Sequence, residues 1–118
     1  LEALHRVSLV DQAGQYPADL SDEQRKRLAI AGTLPTGPGI LFVDEPTDSL
    51  GHTGGHRIMD VLRALVERAG HTVVMVTRDP AVAAYADRAV LLVRGRIVGK
   101  IDWPTADEIA TELARQQT

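Results

Sequence analysis

Apolar positions along this chain follow two periods. Ile40-Leu41-Phe42-Val43 is an unbroken apolar run that enters the acidic pair Asp44-Glu45 and stops at Pro46. A short apolar run bounded by turn signals reads as a fully buried strand of a parallel sheet. His71 through Val76 gives a second such strand, and Ala89 through Val93 a third. Between the first two, Ile58, Val61, Leu62, Leu65 and Val66 recur at the spacing of a core-facing helix, with Gly70 placed to end it. Asp79-Pro80 opens a further helix through Val82, Ala83 and Ala86, proline being suited to the first helical position. Strand, helix, strand, helix, strand at this spacing predicts a parallel α/β unit with right-handed crossovers. Arg94-Gly95-Arg96 then turns the chain into Ile97-Val98-Gly99 as an antiparallel partner.

Capping residues sharpen the helix boundaries. Ser21 with Gln24 three residues on makes a capping box, and Asp22 and Glu23 in the first turn suit the helix dipole. Leu28, Ala29, Ala31 and Gly32 predict a small-residue packing face for that helix. Thr105 with Glu108 is a second capping box, opening a C-terminal helix through Ile109 and Leu113, with Trp103 beside Pro104 as its anchor. Leu1, Leu4 and Val7 predict a short amphipathic helix, and residues Asp11 to Asp19 a polar connection. Thr36-Gly37-Pro38-Gly39 breaks the chain before the first strand, and Gly51-His52-Thr53-Gly54-Gly55 reads as a turn. The chain thus divides into a helical region over residues 1–36 and an α/β region over 37–118.

Composition narrows the functional classes. The 118 residues are 44% hydrophobic, a globular composition within one small domain. A net charge of -3 gives no general pull toward nucleic acid or an anionic membrane, and 3% aromatics argues against base-stacking platforms. There is no cysteine, so no disulfide framework, thiolate metal site or thiol nucleophile. No apolar run reaches the length of a membrane span. The chain opens on Leu1 in a helical pattern, which suggests a piece of a longer protein.

Ligands of parallel α/β sheets gather at the carboxyl ends of the strands, so Asp44 and Glu45 point to a binding crevice; solvated charges at a strand end are the plainer alternative. The surrounding residues decide. Leu20-Ser21-Asp22-Glu23-Gln24, Asp44-Glu45-Pro46-Thr47, Asp48-Ser49-Leu50-Gly51, Val76-Thr77-Arg78-Asp79, Ala83-Ala84-Tyr85-Ala86-Asp87-Arg88 and Arg94-Gly95-Arg96-Ile97 stand in this order. They resemble the C-terminal half of an ABC-transporter nucleotide-binding domain: its LSGGQ signature helix, Walker B strand, D-loop, switch strand and closing hairpin. Six ordered motifs over nearly the whole chain are far more specific than any one alone. Around Tyr85 to Arg88 the resemblance is nearest the lipoprotein- and macrolide-exporter branch.

The resemblance implies a partial α/β domain of the P-loop NTPase class, with flanking helices, a C-terminal β-hairpin and a helix. It implies ATP and Mg²⁺ as ligands of the complete domain, Asp44 in the water shell of Mg²⁺ and Glu45 polarising the water that attacks the γ-phosphate. Ser21, Asp22, Glu23 and Gln24 occupy the signature, which in the family faces the nucleotide of the opposite subunit. Arg78 stands at the switch-histidine position and completes the catalytic set. The implied partners are a second nucleotide-binding domain, identical or different, and a transmembrane subunit, with the chain on the cytoplasmic face of the membrane. No nucleic-acid partner is implied.

Four departures qualify that picture. The phosphate loop G-x-x-x-x-G-K-[ST], whose backbone N–H groups and lysine hold ATP, is not among these residues. Gly95 to Ile101 imitates it with one spacer too few and an isoleucine in place of the hydroxyl, and reads better as a hairpin strand. The family places the true loop N-terminal to everything seen here, so this chain alone is not expected to bind nucleotide. The signature glycines are replaced by Asp22 and Glu23, and like charges about 4 Å apart repel by about 4 kcal/mol at an effective dielectric near 20. A capped helix start with no ligand therefore stands beside the phosphate-facing reading. Arg78 keeps a cation but stays protonated and is larger than histidine. Gly51 replaces the D-loop aspartate.

An ATP-binding subunit, weak or inactive in hydrolysis, is the leading expectation. Its alternative is a non-catalytic regulatory or interaction module that retains the scaffold, and whether the chain serves an enzyme stays open between them. An ABC ATPase acting in DNA repair or on ribosomes fits less well, given the lack of basic or long coiled-coil segments. Arg25, Lys26 and Arg27 read as a solvated helix face, and His52 with His56 as surface histidines rather than a metal pair. A half-domain exposes the sheet edge and face meant for the other half, which predicts self-association.

Overall fold

The computed structural model describes residues 20–34 and 36–116. The helix expected over Leu1 to Val7 and the connection Asp11 to Asp19 lie outside them. The chain forms two compact units, one ending at Val76 and one beginning at Thr77.

The first unit holds α1 (Asp22–Thr33), β1 (Ile40–Asp44), α2 (His52–Glu67) and β2 (Thr72–Val76). Helix α1 begins at the expected capping box: the Ser21 hydroxyl accepts the Gln24 N–H at 3.1 Å, and the Gln24 side-chain oxygen accepts the Ser21 N–H at 3.0 Å. Its buried residues are Ile30 and Ala31, whereas Ala29 and Gly32 are exposed, so the expected small-residue face is displaced toward the larger side chain. Ile30 gains more than Ala29 or Gly32 by leaving water.

Helix α2 supplies the core of this unit. Ile58, Met59, Val61, Leu62 and Leu65 are buried, with Ile58 and Leu65 the most completely so, as the spacing predicts; Met59 broadens the stripe. The helix begins at His52 rather than after Gly55, so the expected glycine-rich turn is its first turn. A Cβ at Gly55 would meet the Thr47 Cβ and Cγ2 at 3.4 Å, which explains a glycine where the loop leaving β1 lies against the helix. Gly70 (φ 73) then turns the chain through the left-handed region into β2.

Strands β1 and β2 pair in parallel, from Ile40 opposite Thr72 to Asp44 opposite Val76. Their starts are clasped: Thr72 donates to the Gly39 carbonyl at 2.8 Å, and the Nδ1 of buried His71 accepts the Gly39 N–H at 3.3 Å. The strands are not fully buried, contrary to the apolar run. Leu41 faces the core with Val43, Val73 and Met75 partly covered, while Ile40, Phe42, Val74 and Val76 are exposed, Phe42 by 79%. Strand side chains alternate between faces, and here only one face is covered.

The second unit holds α3 (Pro80–Ala83), β3 (Arg88–Val93), β4 (Arg96–Asp102) and α4 (Ala106–Gln116). Asp79 caps α3 by accepting the Ala81 N–H at 2.9 Å, with Pro80 in the first turn. The helix stops at Ala83 rather than reaching Ala86, because Tyr85 and Ala86 bond back to Val82 and Ala83 in tighter three-residue turns. β3 is not a third parallel strand. It pairs antiparallel with β4 through the two-residue turn Arg94-Gly95 (φ 51 and 77), with an irregularity at Leu91/Leu92. Positive φ at both turn residues matches the twist of the flanking strands, and so short a loop costs little closure entropy.

At the open end of the hairpin Arg88 Nε donates to Asp102 Oδ1 at 2.6 Å; that hydrogen bond and the adjacent carboxylate charge raise the Arg88 pKa. The Thr105–Glu108 capping box forms as expected, each bond 3.1 Å, and Ile109 is buried. Pro104 is the buried member of the Trp103-Pro104 pair; Trp103 is 74% exposed at φ 51, so it does not anchor α4 as the sequence suggested. Backbone direction at Trp103, fixed by its N–H bond to the Asp87 carbonyl at 2.8 Å, turns the ring outward.

Stability should follow this burial. In urea unfolding followed by circular dichroism, Ile58→Ala is expected to cost about 2–5 kcal/mol. Ser21→Ala is expected to cost about 1 kcal/mol through the lost cap. In the dilute, monomeric chain Phe42→Ala should change stability by less than about 0.5 kcal/mol, despite the apolar run that contains it.

Candidate functional site

The carboxyl end of β1 carries the acidic pair. Asp44, the last strand residue, is exposed on the same face as Ile40 and Phe42. The Glu45 N–H continues the ladder by one bond, donating to the Val76 carbonyl at 2.7 Å, while its backbone swings to φ 45. A non-glycine residue in the left-handed region costs about 1–3 kcal/mol, a strain that the buried Pro46 next to it and the Asp48 N–H on the Glu45 carbonyl at 3.2 Å help to hold. Glu45 therefore sits on a sharp bend at the lip of the parallel pair. Lys26 of α1 reaches the same carbonyl with its Nζ at 3.5 Å, a long contact that brings the start of α1 beside the end of β1.

The two substituted signature residues differ in environment. The Asp22 side chain is 68% exposed, with Arg25 at 3.6 Å. The Glu23 side chain is only 16% exposed; it accepts from Arg27 at 2.5 Å on one oxygen and from Arg57 of α2 at 3.3 Å on the other. Arg27 is thus half-buried rather than part of a solvated face, and its Nε is buried without a partner. The Glu23 charge is met by two guanidinium groups, whereas Asp22, beside Arg25, is the more exposed carboxylate at the helix start. The spacing of Glu23 and Arg27 on one helix face was a readable signal. Arg57, 34 residues away, had none.

Ser21, Asp22, Glu23, Gln24, Asp44 and Glu45 all lie in the first unit. Arg78 belongs to the second, exposed, next to Thr77, whose hydroxyl accepts the Asp79 N–H at 3.1 Å. Gly51 is the N-cap of α2 and offers no side-chain cap bond. The phosphate-loop imitation from Gly95 to Ile101 forms the hairpin turn and β4, a strand rather than a loop of converging N–H groups. Among the described residues no group of three or more His, Asp or Glu side chains converges as a metal cage. Mg²⁺ needs none, since it keeps several waters and is commonly held by one or two carboxylates with substrate phosphates. Exposed Asp44 fits that limited role.

The parallel strand pair with its flanking helices is a partial α/β domain of the P-loop NTPase class. The chain belongs to the ABC ATP-binding cassette family. It is 44% identical over 107 residues to the macrolide export ATP-binding/permease protein MacB of Burkholderia thailandensis, covering 91% of this chain and 16% of that protein. It is 43% identical over 97 residues to MacB of Escherichia coli K12, covering 82% and 15%. Among solved structures, the dimeric ATP-binding cassette MJ0796 in a post-hydrolysis state with ADP and Pi superposes with a TM-score of 0.69 at 36% identity, covering 87% of this chain and 45% of that one. CbiO1 of Clostridium perfringens, part of the ABC transporter complex cbiONQ, gives 0.82 at 29% identity, covering 98% and 45%. No protein-family profile matches the chain. The chain therefore spans less than half of these solved cassettes and about a sixth of the curated relatives.

The Glu23 network carries a measurable energy. Glu23→Gln is expected to destabilise the chain by about 1.5–3 kcal/mol, because it removes charge-assisted bonds and leaves Arg27 poorly matched in a half-buried position. The Glu23–Arg57 part should weaken in high salt, since Arg57 is mostly exposed. A double-mutant cycle of Glu23→Gln and Arg57→Gln, run in low and high salt, measures that share.

Proposed function

We propose that this chain supplies the Walker B carboxylates and the signature helix of an ATP-binding subunit that drives an ABC transporter. The observation that carries the proposal is the end of β1: parallel pairing brings Asp44 to the carboxyl edge and pins Glu45 on a bend one bond further on. In the complete domain, Asp44 holds Mg²⁺ through water and Glu45 orients the attacking water. Arg78 offers a fixed cation at the switch position. Ser21 and Gln24 present a helix start to the nucleotide of a second cassette, with Asp22 opposing it. The transporter's membrane-spanning partner places the cassette on the cytoplasmic face. Among the described residues no helix is long and apolar enough to cross a membrane.

Hydrolysis is expected to be weak, because the signature glycines, the D-loop aspartate and the switch histidine are all substituted. The measurement is steady-state ATP turnover by the complete protein, wild type against Glu45→Gln. Turnover at ordinary enzyme rates, about 1–10³ per second, that is lost in Glu45→Gln would overturn the weak-hydrolysis reading.

One observation favours a second reading, a non-catalytic module on the same scaffold: Glu23 is held by Arg27 and Arg57 as a structural ion network where the family keeps a bare glycine. Calorimetric titration of the complete protein with Mg-ATP separates the two, since tight binding excludes a purely structural role.

The chain by itself is expected to self-associate through the exposed face of Ile40, Phe42, Val74 and Val76. Light scattering should show species larger than the 118-residue monomer. A strictly monomeric, compact chain would contradict this.

A further inference from the structure

Against the expectation that His52 and His56 are plain surface histidines, we propose that they form a two-point chelating site for a borderline transition-metal cation, Zn²⁺, Ni²⁺ or Cu²⁺, on the first turns of α2. The two residues are four apart on the helix and both are exposed. Their rings meet edge to face with centroids 4.4 Å apart, and their Nε2 atoms are 3.1 Å apart. A single ion bound to both nitrogens at about 2.05 Å subtends an angle of about 98° at that separation. That lies between the roughly 90° of tetragonal or octahedral coordination and the roughly 109° of tetrahedral coordination, so the separation suits chelation once the rings turn both lone pairs toward one ion.

Without metal, the same distance suits one Nε2–H donating to the other Nε2. Chelation moves that proton to Nδ1 of its own ring, leaving two Nε2 lone pairs for the ion and releasing no proton from a neutral pair. Water fills the remaining positions, since no third side chain converges among the described residues. The positive end of the helix dipole opposes a cation here, which favours ions that imidazole binds strongly over Mg²⁺ or Ca²⁺. The site has a structural consequence. The first turn of α2 is intrinsically weak: Gly51 gives no side-chain cap bond, no acidic residue stands in that turn, and Gly54 and Gly55 disfavour helix. A chelate from His52 to His56 fixes that turn directly behind the bend that follows Glu45.

The test is calorimetric titration of the 118-residue chain with NiCl₂ and ZnCl₂, with MgCl₂ as control. One equivalent of Ni²⁺ or Zn²⁺ should bind, at least tenfold more weakly in His52→Ala and in His56→Ala, and unchanged in His5→Ala. In the wild-type chain, thermal unfolding should move upward with Ni²⁺ but not with Mg²⁺, and Cu²⁺ should broaden the amide signals of residues 52–56 first. Equal affinity after loss of either histidine would overturn the site. So would no uptake by a chain whose dispersed amide spectrum shows it folded, leaving the pair as an N–H···N hydrogen bond only.

Discussion

The first unit depends on one helix face. Ile58, Met59, Val61, Leu62 and Leu65 of α2 bury almost completely, and the inward residues of the strand pair and the Ile30–Ala31 patch of α1 complete the same core. Removing that apolar surface from water is the dominant favourable term available to so short a chain. The cover is one-sided. A two-stranded sheet with one protected face leaves Ile40, Phe42, Val74 and Val76 in solvent, and that incompleteness accords with a chain matching 45% of the length of solved cassettes.

The candidate site sits where that core hands over to strained backbone. Glu45 keeps the strand ladder through its N–H and leaves the strand through a left-handed φ. Strain of this kind persists only where surrounding structure over-determines it. Here the Val76 carbonyl, Pro46 and the turn bond from Asp48 do so, with Gly55 allowing α2 to lie against Thr47. The same packing brings Arg57 to Glu23. Glu23 is thereby held in a protein ion network, while Asp22 stays exposed beside Arg25.

The acidic pair and the capped helix starts were legible because their signals are local. Ser21 with Gln24, Thr105 with Glu108 and Asp79 with Pro80 act over one helical turn, and each forms as the residues predict. The six ordered motifs identified the cassette by the same short-range logic, and the relatives bear that out. The boundaries that moved did so where packing outweighed local preference: α2 begins a turn early over Gly54 and Gly55, and α3 tightens out after Ala83.

Among the described residues the sequence by itself determined the order and type of the elements, their caps, and the delivery of Asp44 and Glu45 to a strand end, since periodicity and capping are written within a few residues. The parallel pair and the β3–β4 hairpin were legible too; tertiary structure alone decided the long-range side-chain contacts. The His71–Gly39 clasp joins residues 32 apart and the Glu23–Arg57 pair residues 34 apart. β3 pairs with β4 as the Arg94-Gly95 turn predicts, but it does not also form a third parallel strand. An apolar run states that a segment can be buried; only the count of neighbours around it decides whether both faces are. For Phe42 one side went uncovered, and the run that marked the core as a sequence became half surface as a fold.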